Sequence, residues 1–421
     1  MSIPRAIPAR RLVAINRYYR PDESATAQLL TGLLEHRADR GERVTVIAGR
    51  SLYAGQHTTL APRDRLDGVE ILRVWSTRFG RHVLPARIID DLTFCASALL
   101  VLTGLLRRGD ILLAKTDPPI LPLMAMIAAR LRGARLHVWC QDLFPETAIA
   151  LGMTARIPMV GRILRGLRNL AIARAERIVV IGDGMAETLV RQGIEHERIA
   201  IAPNWAPETV MPVPAANNPL RRELGLQEMK IVGYSGNLGR AHAAAEVARL
   251  VEDSLGCRDL AWVFCGGGHG MQRIAALAHR LPCDRLKFLP HQPRAGLARS
   301  LSLPDMHLVS LDPACEGLVL PSKIYGIVAA GRPVLFLGDP LGPTARLIRE
   351  LDLGIVLPVD RPNEALERLL SCLRGEITLP GESRLRAVHE RLLGREHALA
   401  RWSRILDGEP YRQPPEQRHA A

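Results

Sequence analysis

Lysine is nearly absent from this chain of 421 residues: only Lys115, Lys230, Lys287 and Lys323 occur, although basic residues outnumber acidic ones 56 to 43. Arginine therefore carries the positive charge, and each lysine calls for a reason of its own. Aromatic residues make up 4% of the chain, too few for the stacking platforms on which nucleic-acid binders lay their bases, and no recognition motif accompanies them. The formal charge of +13 then does not imply a nucleic-acid partner. The seven cysteines are scattered, with no CxxC pair and no histidine cluster beside them. This excludes a zinc site or a disulfide framework and fits a reduced, cytoplasmic compartment. Long apolar runs are missing too. The nearest, Leu92–Leu106, follows Asp90-Asp91 and falls short of the ~20 residues that span a bilayer. The run Leu12–Ile15 is too short for a signal-peptide core. The expectation is a chain that does not span a membrane but can lie on one.

Apolar residues make up 47% and charged residues 24%, a globular composition with length for two or three domains. The charge is uneven. Met1 to Trp205 holds 29 basic and 19 acidic residues, so +10, and the remainder holds 27 and 24, so +3. The N-terminal half is the part suited to an anionic surface.

Short β-type runs alternate with helical spacing throughout. Strands are expected at Leu12–Asn16, Arg43–Ala48, Val69–Val74, Ile111–Lys115, Arg135–Cys140, Arg177–Ile181 and Ile199–Pro203. After a proline-rich stretch, Asn204–Leu226, they resume at Ile231–Tyr234, Ala261–Cys265, Leu286–Phe288, His307–Leu311, Val334–Leu337 and Gly354–Leu357. Such alternation indicates an α/β fold with parallel sheets and crossover helices. The expected division is an N-terminal domain 1–205, a linker 206–226, a second domain 227–395, and a helix with a fraying polar tail over 396–421.

Open parallel sheets bind ligands beyond the carboxyl ends of their strands. Three such ends carry suitable loops. After Tyr234 comes Ser235-Gly236-Asn237-Leu238-Gly239-Arg240-Ala241-His242, where glycine allows close backbone approach and Arg240 or His242 can meet a diphosphate; an ordinary strand-to-helix turn fits equally well. After Cys265 come Gly266, Gly267, Gly268 and, past His269, Gly270, a density that packing alone is not expected to explain and that lacks the acidic ribose clamp of nicotinamide enzymes. The third runs through Glu316, Gly317, Leu318, Val319 and Leu320 into Pro321, Ser322 and Lys323. There the free N–H groups of a helix start, the Ser322 hydroxyl and the Lys323 ammonium would cradle a diphosphate without a metal. Glu316 would accept from ribose or sugar hydroxyls. A plain capped helix with a solvated lysine is the alternative.

The sequence resembles glycosyltransferase family 4, the retaining enzymes of GT-B fold. The resemblance is strongest to the branch assembling bacterial exopolysaccharide, capsule and O-antigen, including colanic-acid and N-acetyl-fucosaminyl transferases. It covers nearly the whole chain and rests on Tyr18-Tyr19-Arg20-Pro21 with Ala25-Thr26-Ala27, Gln141-Asp142-Leu143-Phe144-Pro145-Glu146, Pro203-Asn204-Trp205, Tyr234 to His242, and Gly317 to Tyr325 with Ala330-Gly331-Arg332-Pro333. It implies two Rossmann-like domains facing a cleft. A UDP- or GDP-linked sugar donor would sit on the second domain and an acceptor on the first, with transfer under retention and neither cofactor nor metal. The donor site would comprise Gly236, Asn237, Arg240, His242, Gly266, Gly267, Gly268, Gly317, Leu318, Pro321, Ser322 and Lys323. Two departures stand out. Many members carry two glutamates with seven residues between them, which would fall here on Leu318 and Gly326; Glu316, two residues early, is expected to replace one. The Arg and Lys that commonly contact the diphosphate align with Asn237 and His242, leaving Arg240 and Lys323 as phosphate partners.

In the first half, Asp142 and Glu146 end a buried strand and are candidates for orienting or deprotonating an acceptor hydroxyl; a helix-capping role for Asp142 fits as well. Arg156–Arg177 holds six arginines and one acid, with Arg162, Arg165 and Arg168 every third residue. That spacing suits anionic lipid headgroups, or simply a solvated face. An acceptor saccharide on a polyprenyl diphosphate, at the inner face of the cytoplasmic membrane, would make such contact useful. A nucleotide-sugar epimerase of similar fold is the alternative, and it would need no lipid.

Overall fold

The structure, a computed structural model, describes residues 11–53, 59–80, 83–153, 158–280 and 284–409. Arg156, Cys283 and the tail from Pro410 lie outside the described residues. The chain divides into two units. The first gathers Met1–Ile149, Thr154–Ala202 and Leu399–Ala421, and the second Ala150–Met153 and Pro203–Ala398.

The first unit is built on eight strands: β1 (Arg11–Ile15), β2 (Arg43–Gly49), β3 (Arg63–Leu66), β4 (Val69–Val74), β5 (Ile111–Lys115), β6 (Arg135–Trp139), β7 (Arg177–Val180) and β8 (Ile199–Ile201). Their order is β3-β4-β2-β1-β5-β6-β7-β8. Every pairing is parallel except β3 with β4. Seven of these strands match the sequence expectation. The exception is the edge strand β3, whose residues Arg-Asp-Arg-Leu are charged and half open to solvent. It forms because Asp67 and Gly68, at φ 47 and 77, make the two-residue turn that suits the right-handed twist of a hairpin. By contrast, all five residues of β5 are buried, as a central parallel strand covered on both faces requires.

The helix Leu84–Leu105 corrects one expectation. Its stretch Pro85–Leu105, 21 residues, is long and apolar enough to cross a membrane by length and composition. It lies against the first unit nonetheless, with Phe94, Cys95, Ala98 and Leu102 buried. Asp90 on it accepts hydrogen bonds from Thr77 Oγ1 and the amides of Phe79 and Gly80, while Asp91 pairs with Arg17. These charges fix its start to the loops after β1 and β4.

The second unit has six parallel strands: β9 (Lys230–Asn237), β10 (Leu260–Gly267), β11 (Leu286–Leu289), β12 (Met306–Ser310), β13 (Val334–Gly338) and β14 (Gly354–Pro358), in the order β11-β10-β9-β12-β13-β14. Alternate residues feed two layers, as the period of a strand dictates. Val232, Tyr234, Trp262, Phe264, Leu308, Leu335 and Leu337 enter one core; Val309, Val334 and Phe336 enter another with Ile324, Ile327 and Val328. Tyr234 and Trp262 each stack on Phe264, at 5.9 and 6.0 Å. The proline-rich stretch is no free tether: Asn218 caps the helix Pro219–Glu223 and donates to the Arg299 carbonyl, and Arg332 donates to the carbonyls of Val213 and Ser302.

Candidate functional site

β9 and β10 stay paired further than expected, with Gly266 opposite Gly236 and Gly267 opposite Asn237. This gives the glycine run a packing reason that the sequence reading had set aside. A Cβ at Gly266, whose φ is 127°, would lie 2.3 Å from the Gly236 carbonyl oxygen; at Gly268, 2.2 Å from Asn237 Oδ1; at Gly270, 2.7 Å from Ala244 Cβ. Gly266 and Gly268 thus let the end of β10 close on the end of β9 and the loop after it, and Gly270 lets the chain pass Leu238 and the helix Ala244–Ser254. Gly267 alone has room, with His291 Nε2 3.7 Å from a Cβ placed there.

Around the end of β9 the structure collects Gly236, Tyr234, His242 and Lys323. Lys323 begins the short helix Lys323–Ala329, with Ser322 in the N-cap position. Pro321 therefore precedes the helix and does not occupy its first turn, although its carbonyl and that of Ser322 accept from Ile324 and Tyr325. From there the Lys323 side chain reaches back until Cε lies 4.0 Å from the Cβ position of Gly236. Part of the residue touches solvent, but its ammonium is buried, 3.7 Å from the centroid of the Tyr234 ring and without a hydrogen-bond partner. Burial pulls its pKa down to about 7. An aromatic face offers a cation some attraction but accepts no conventional hydrogen bond, so the group retains its donor capacity.

His242 sits beside it, its Nδ1 donating to the Ser310 carbonyl at 2.5 Å and its ring edge-on to Tyr234. Burial, then the charge of Lys323, lower its pKa to about 4 against the pull of that carbonyl. The ring is thus a neutral spacer. Arg240 and Asn237 are exposed, and Arg240 makes no hydrogen bond or ion pair among the described residues. Gly317 and Leu318 are buried, and the Leu318 amide is committed to the Cys315 carbonyl at 3.0 Å.

Two carboxylates are placed otherwise than expected. Glu316 is turned toward the helix Pro343–Glu350, where Oε2 accepts from Thr344 Oγ1 at 2.9 Å and its amide at 3.3 Å. A Cβ at Gly342 would lie 2.6 Å from its carboxyl carbon. Oε1 is buried without a partner, and burial pushes the pKa up to about 7. Glu146 is buried among Arg168 (2.5 Å), Gln192 (3.1 Å) and Arg165 (3.2 Å), holding three helices together. Each has one carboxylate oxygen engaged by structural partners, while the other, Glu146 Oε2 and Glu316 Oε1, is buried without a hydrogen-bond partner. Asp142 is the carboxylate left exposed. Although the residue reaches solvent, the surrounding protein desolvates its carboxylate, and this, with the charge of Asp117, raises its pKa to about 6, with Lys115 opposing.

Lys115, another of the four lysines, ends β5. Its ammonium is fully buried, donates to the Thr26 carbonyl at 3.0 Å and stands 3.9 Å from the centroid of Trp139. Burial lowers its pKa to about 7. Among the described residues no group of three or more His, Cys, Asp or Glu is placed to hold a metal ion.

Residues 25–205 match the sequence model of the glycosyl transferase 4-like domain. The chain is 29% identical over 271 residues to a probable glycosyltransferase, WbjE, of Pseudomonas aeruginosa, covering 64% of this chain and 67% of that one. It is 25% identical over 288 residues to the putative colanic acid biosynthesis glycosyl transferase WcaI of Escherichia coli K12, covering 67% and 70%. Among solved structures it resembles HepE of Anabaena in complex with UDP, with a TM-score of 0.68 at 14% identity over 94% of this chain and all of that one. The same protein has been solved with UDP-glucose. This last likeness shows the fold.

Proposed function

We propose that this chain is a glycosyltransferase of the family 4 type, as the matched domain and the glycosyltransferase relatives support, and that it moves a sugar from a nucleoside diphosphate donor to a lipid-linked saccharide during bacterial surface polysaccharide synthesis. One observation carries the donor side: the buried, unpartnered ammonium of Lys323 at the end of β9. An orphaned cation is costly unless an acceptor completes it, and a diphosphate oxygen beside the Gly236 backbone would do so. The leaving diphosphate gathers charge as the glycosidic bond breaks. A fixed cation there stabilises that charge more in the transition state than in the ground state. Ser322 supplies a hydroxyl beside it. No metal enters this step, and the sugar keeps its anomeric configuration. Donors of the UDP class are favoured by the UDP and UDP-glucose complexes of HepE.

On the acceptor side Asp142, exposed and shifted upward toward neutrality, is placed by its chemistry to take a hydroxyl proton. Glu146 and Glu316 are not assigned catalytic parts. The basic excess of the first half fits work at an anionic membrane surface, where a polyprenyl-linked acceptor resides.

The test is a panel of nucleotide sugars assayed with and without a polyprenyl-diphosphate saccharide, following released nucleoside diphosphate, product mass and anomeric configuration. Turnover is expected only with acceptor present and is expected to persist in EDTA. Isomerised donor without acceptor, or loss of activity with chelator, would overturn the reading.

A further inference from the structure

The loop that follows β4 breaks the habit of this chain, which buries its large aromatic rings. Of the five tryptophans, Trp139, Trp205, Trp262 and Trp402 are buried, whereas Trp75 is 59% exposed. Phe79, in the same loop, is 66% exposed. Neither ring is carried by a slack segment. Asp90 accepts from Thr77 Oγ1 at 2.7 Å and from the amides of Phe79 and Gly80 at 3.0 and 3.2 Å. Thr93 Oγ1 accepts from the Thr77 amide at 3.0 Å, and Arg78 donates to Thr59 Oγ1 at 2.6 Å. The backbone between the two rings is thus pinned to the helix Leu84–Leu105, while the rings face solvent.

Their position on the sheet bears on what they meet. Trp75 directly follows the last residue of β4, at the carboxyl edge where open parallel sheets take their ligands. The same edge carries Tyr53 after β2, half exposed, with its ring edge-on to that of Tyr18 after β1 at 5.4 Å. Asp22 accepts from the Tyr53 amide, so this ring too stands on a fixed backbone. Aromatic side chains therefore follow three neighbouring strands, in the order β4-β2-β1. Further along the same edge, Asp142 follows β6. Four strand spacings separate β4 from β6, roughly 19 Å.

We infer that Trp75 and Phe79 form a stacking subsite for a sugar of the acceptor saccharide that lies behind the one receiving the transfer. A pyranose presents a C–H face to a ring and hydroxyls around its rim. Exposed aromatics flanked by hydroxyl and guanidinium groups, here Thr59, Thr93 and Arg78, match both. Rings on a fixed backbone also lose little conformational freedom on binding. The span to Asp142 exceeds a single sugar, so this subsite reads the length of the acceptor and leaves the reacting hydroxyl to the far strands. The inference rests on the proposed transfer to a saccharide and adds where that saccharide is recognised.

The experiment uses the full chain and the variants Trp75→Ala, Trp75→Tyr and Trp75→Ala/Phe79→Ala, each checked for folding by circular dichroism. Transfer is measured onto polyprenyl diphosphate carrying one sugar and onto the same carrier with two, three and four. Trp75→Ala is expected to raise the acceptor KM about tenfold on the longest acceptors and not on the shortest. The donor KM and kcat should hold, Trp75→Tyr should restore most of the affinity, and the double variant should exceed the single one. The longest acceptor should also shield the parent from acrylamide quenching of its tryptophan fluorescence, and not shield Trp75→Ala. An equal rise on every acceptor, or no rise on any, overturns the subsite while transfer itself stands. A parent that transfers to no acceptor defeats the reading beneath it as well. Unchanged acceptor KM with weaker binding to phosphatidylglycerol vesicles would assign the rings to lipid and overturn the subsite.

Discussion

Each unit buries one lysine against an aromatic ring near a strand end, and the two differ in one respect. Lys115 Nζ rests 3.9 Å from the ring centroid of Trp139 and donates a hydrogen bond to the Thr26 carbonyl; Lys323 Nζ rests 3.7 Å from that of Tyr234 and donates to no acceptor. Burial depresses both to about 7. The first is a finished structural contact that ties β5 to the helix Ala25–Asp39. The second is unfinished within the chain. Two buried cations of one type are thus told apart by whether the fold itself supplies the acceptor.

The sharpest way to break this comparison is to remove each ammonium in turn. Lys323→Met should lower turnover about 100-fold or more, the scale on which loss of one preorganised donor acts, with the melting temperature unchanged or raised. A folded variant with full rate would dissolve the contrast. Next in size, Glu146→Gln should destabilise by about 3–5 kcal/mol, since it strands the buried charge of Arg168; calorimetry reads it, and turnover per folded molecule should hold. Lys115→Met should cost about 1–3 kcal/mol, because the charge-assisted hydrogen bond to the Thr26 carbonyl is lost, and leave donor affinity alone.

The pH dependence sharpens the point further. A lysine depressed in the fold and ordinary when unfolded makes the unfolded chain bind more protons above the folded pKa, so stability should climb as pH rises from about 7 toward the ordinary lysine range. Each Lys→Met variant should remove its share of that slope. Donor phosphate favours the protonated form of Lys323 and not of Lys115. Affinity for UDP should therefore fall as pH rises above about 7, and this fall should vanish in Lys323→Met alone. The smallest effect belongs to Glu316→Gln. An amide oxygen can still accept from Thr344, so activity should stay within about twofold. Because its pKa is raised to about 7, the parent should lose stability as pH climbs from the ordinary carboxylate range through 7, and the variant should not.

Most of the sheet framework was legible in the sequence because parallel strands are continuous apolar runs between helical periods. β3 was not, being three charged residues and a leucine at the sheet edge whose only local sign is the Asp67-Gly68 turn. In the site, Lys323 stood out because lysine is rare here, and the structure brings it to Gly236 and His242. The carboxylates were harder. Glu146 finds Arg168 and Glu316 finds Thr344, 22 and 28 residues away, and no local pattern reveals such partners. The helix Pro158–Ile172 shows the same limit in another form. Spacing tells which residues share a face, but only the position of Glu146 decides which face turns in.

The helix Arg395–Asp407 changes allegiance at Leu399. Trp402, wholly buried, lies with its ring centroid 4.4 Å from that of Trp139, and Asp407 pairs with Arg37 at 2.6 Å. The first unit therefore draws on residues that lie on both sides of the second in sequence. During synthesis, the second unit's residues up to Ala398 leave the ribosome before the segment Leu399–Asp407 that packs into the first. A nascent chain stopped short of Leu399 would leave one indole face of Trp139 bare.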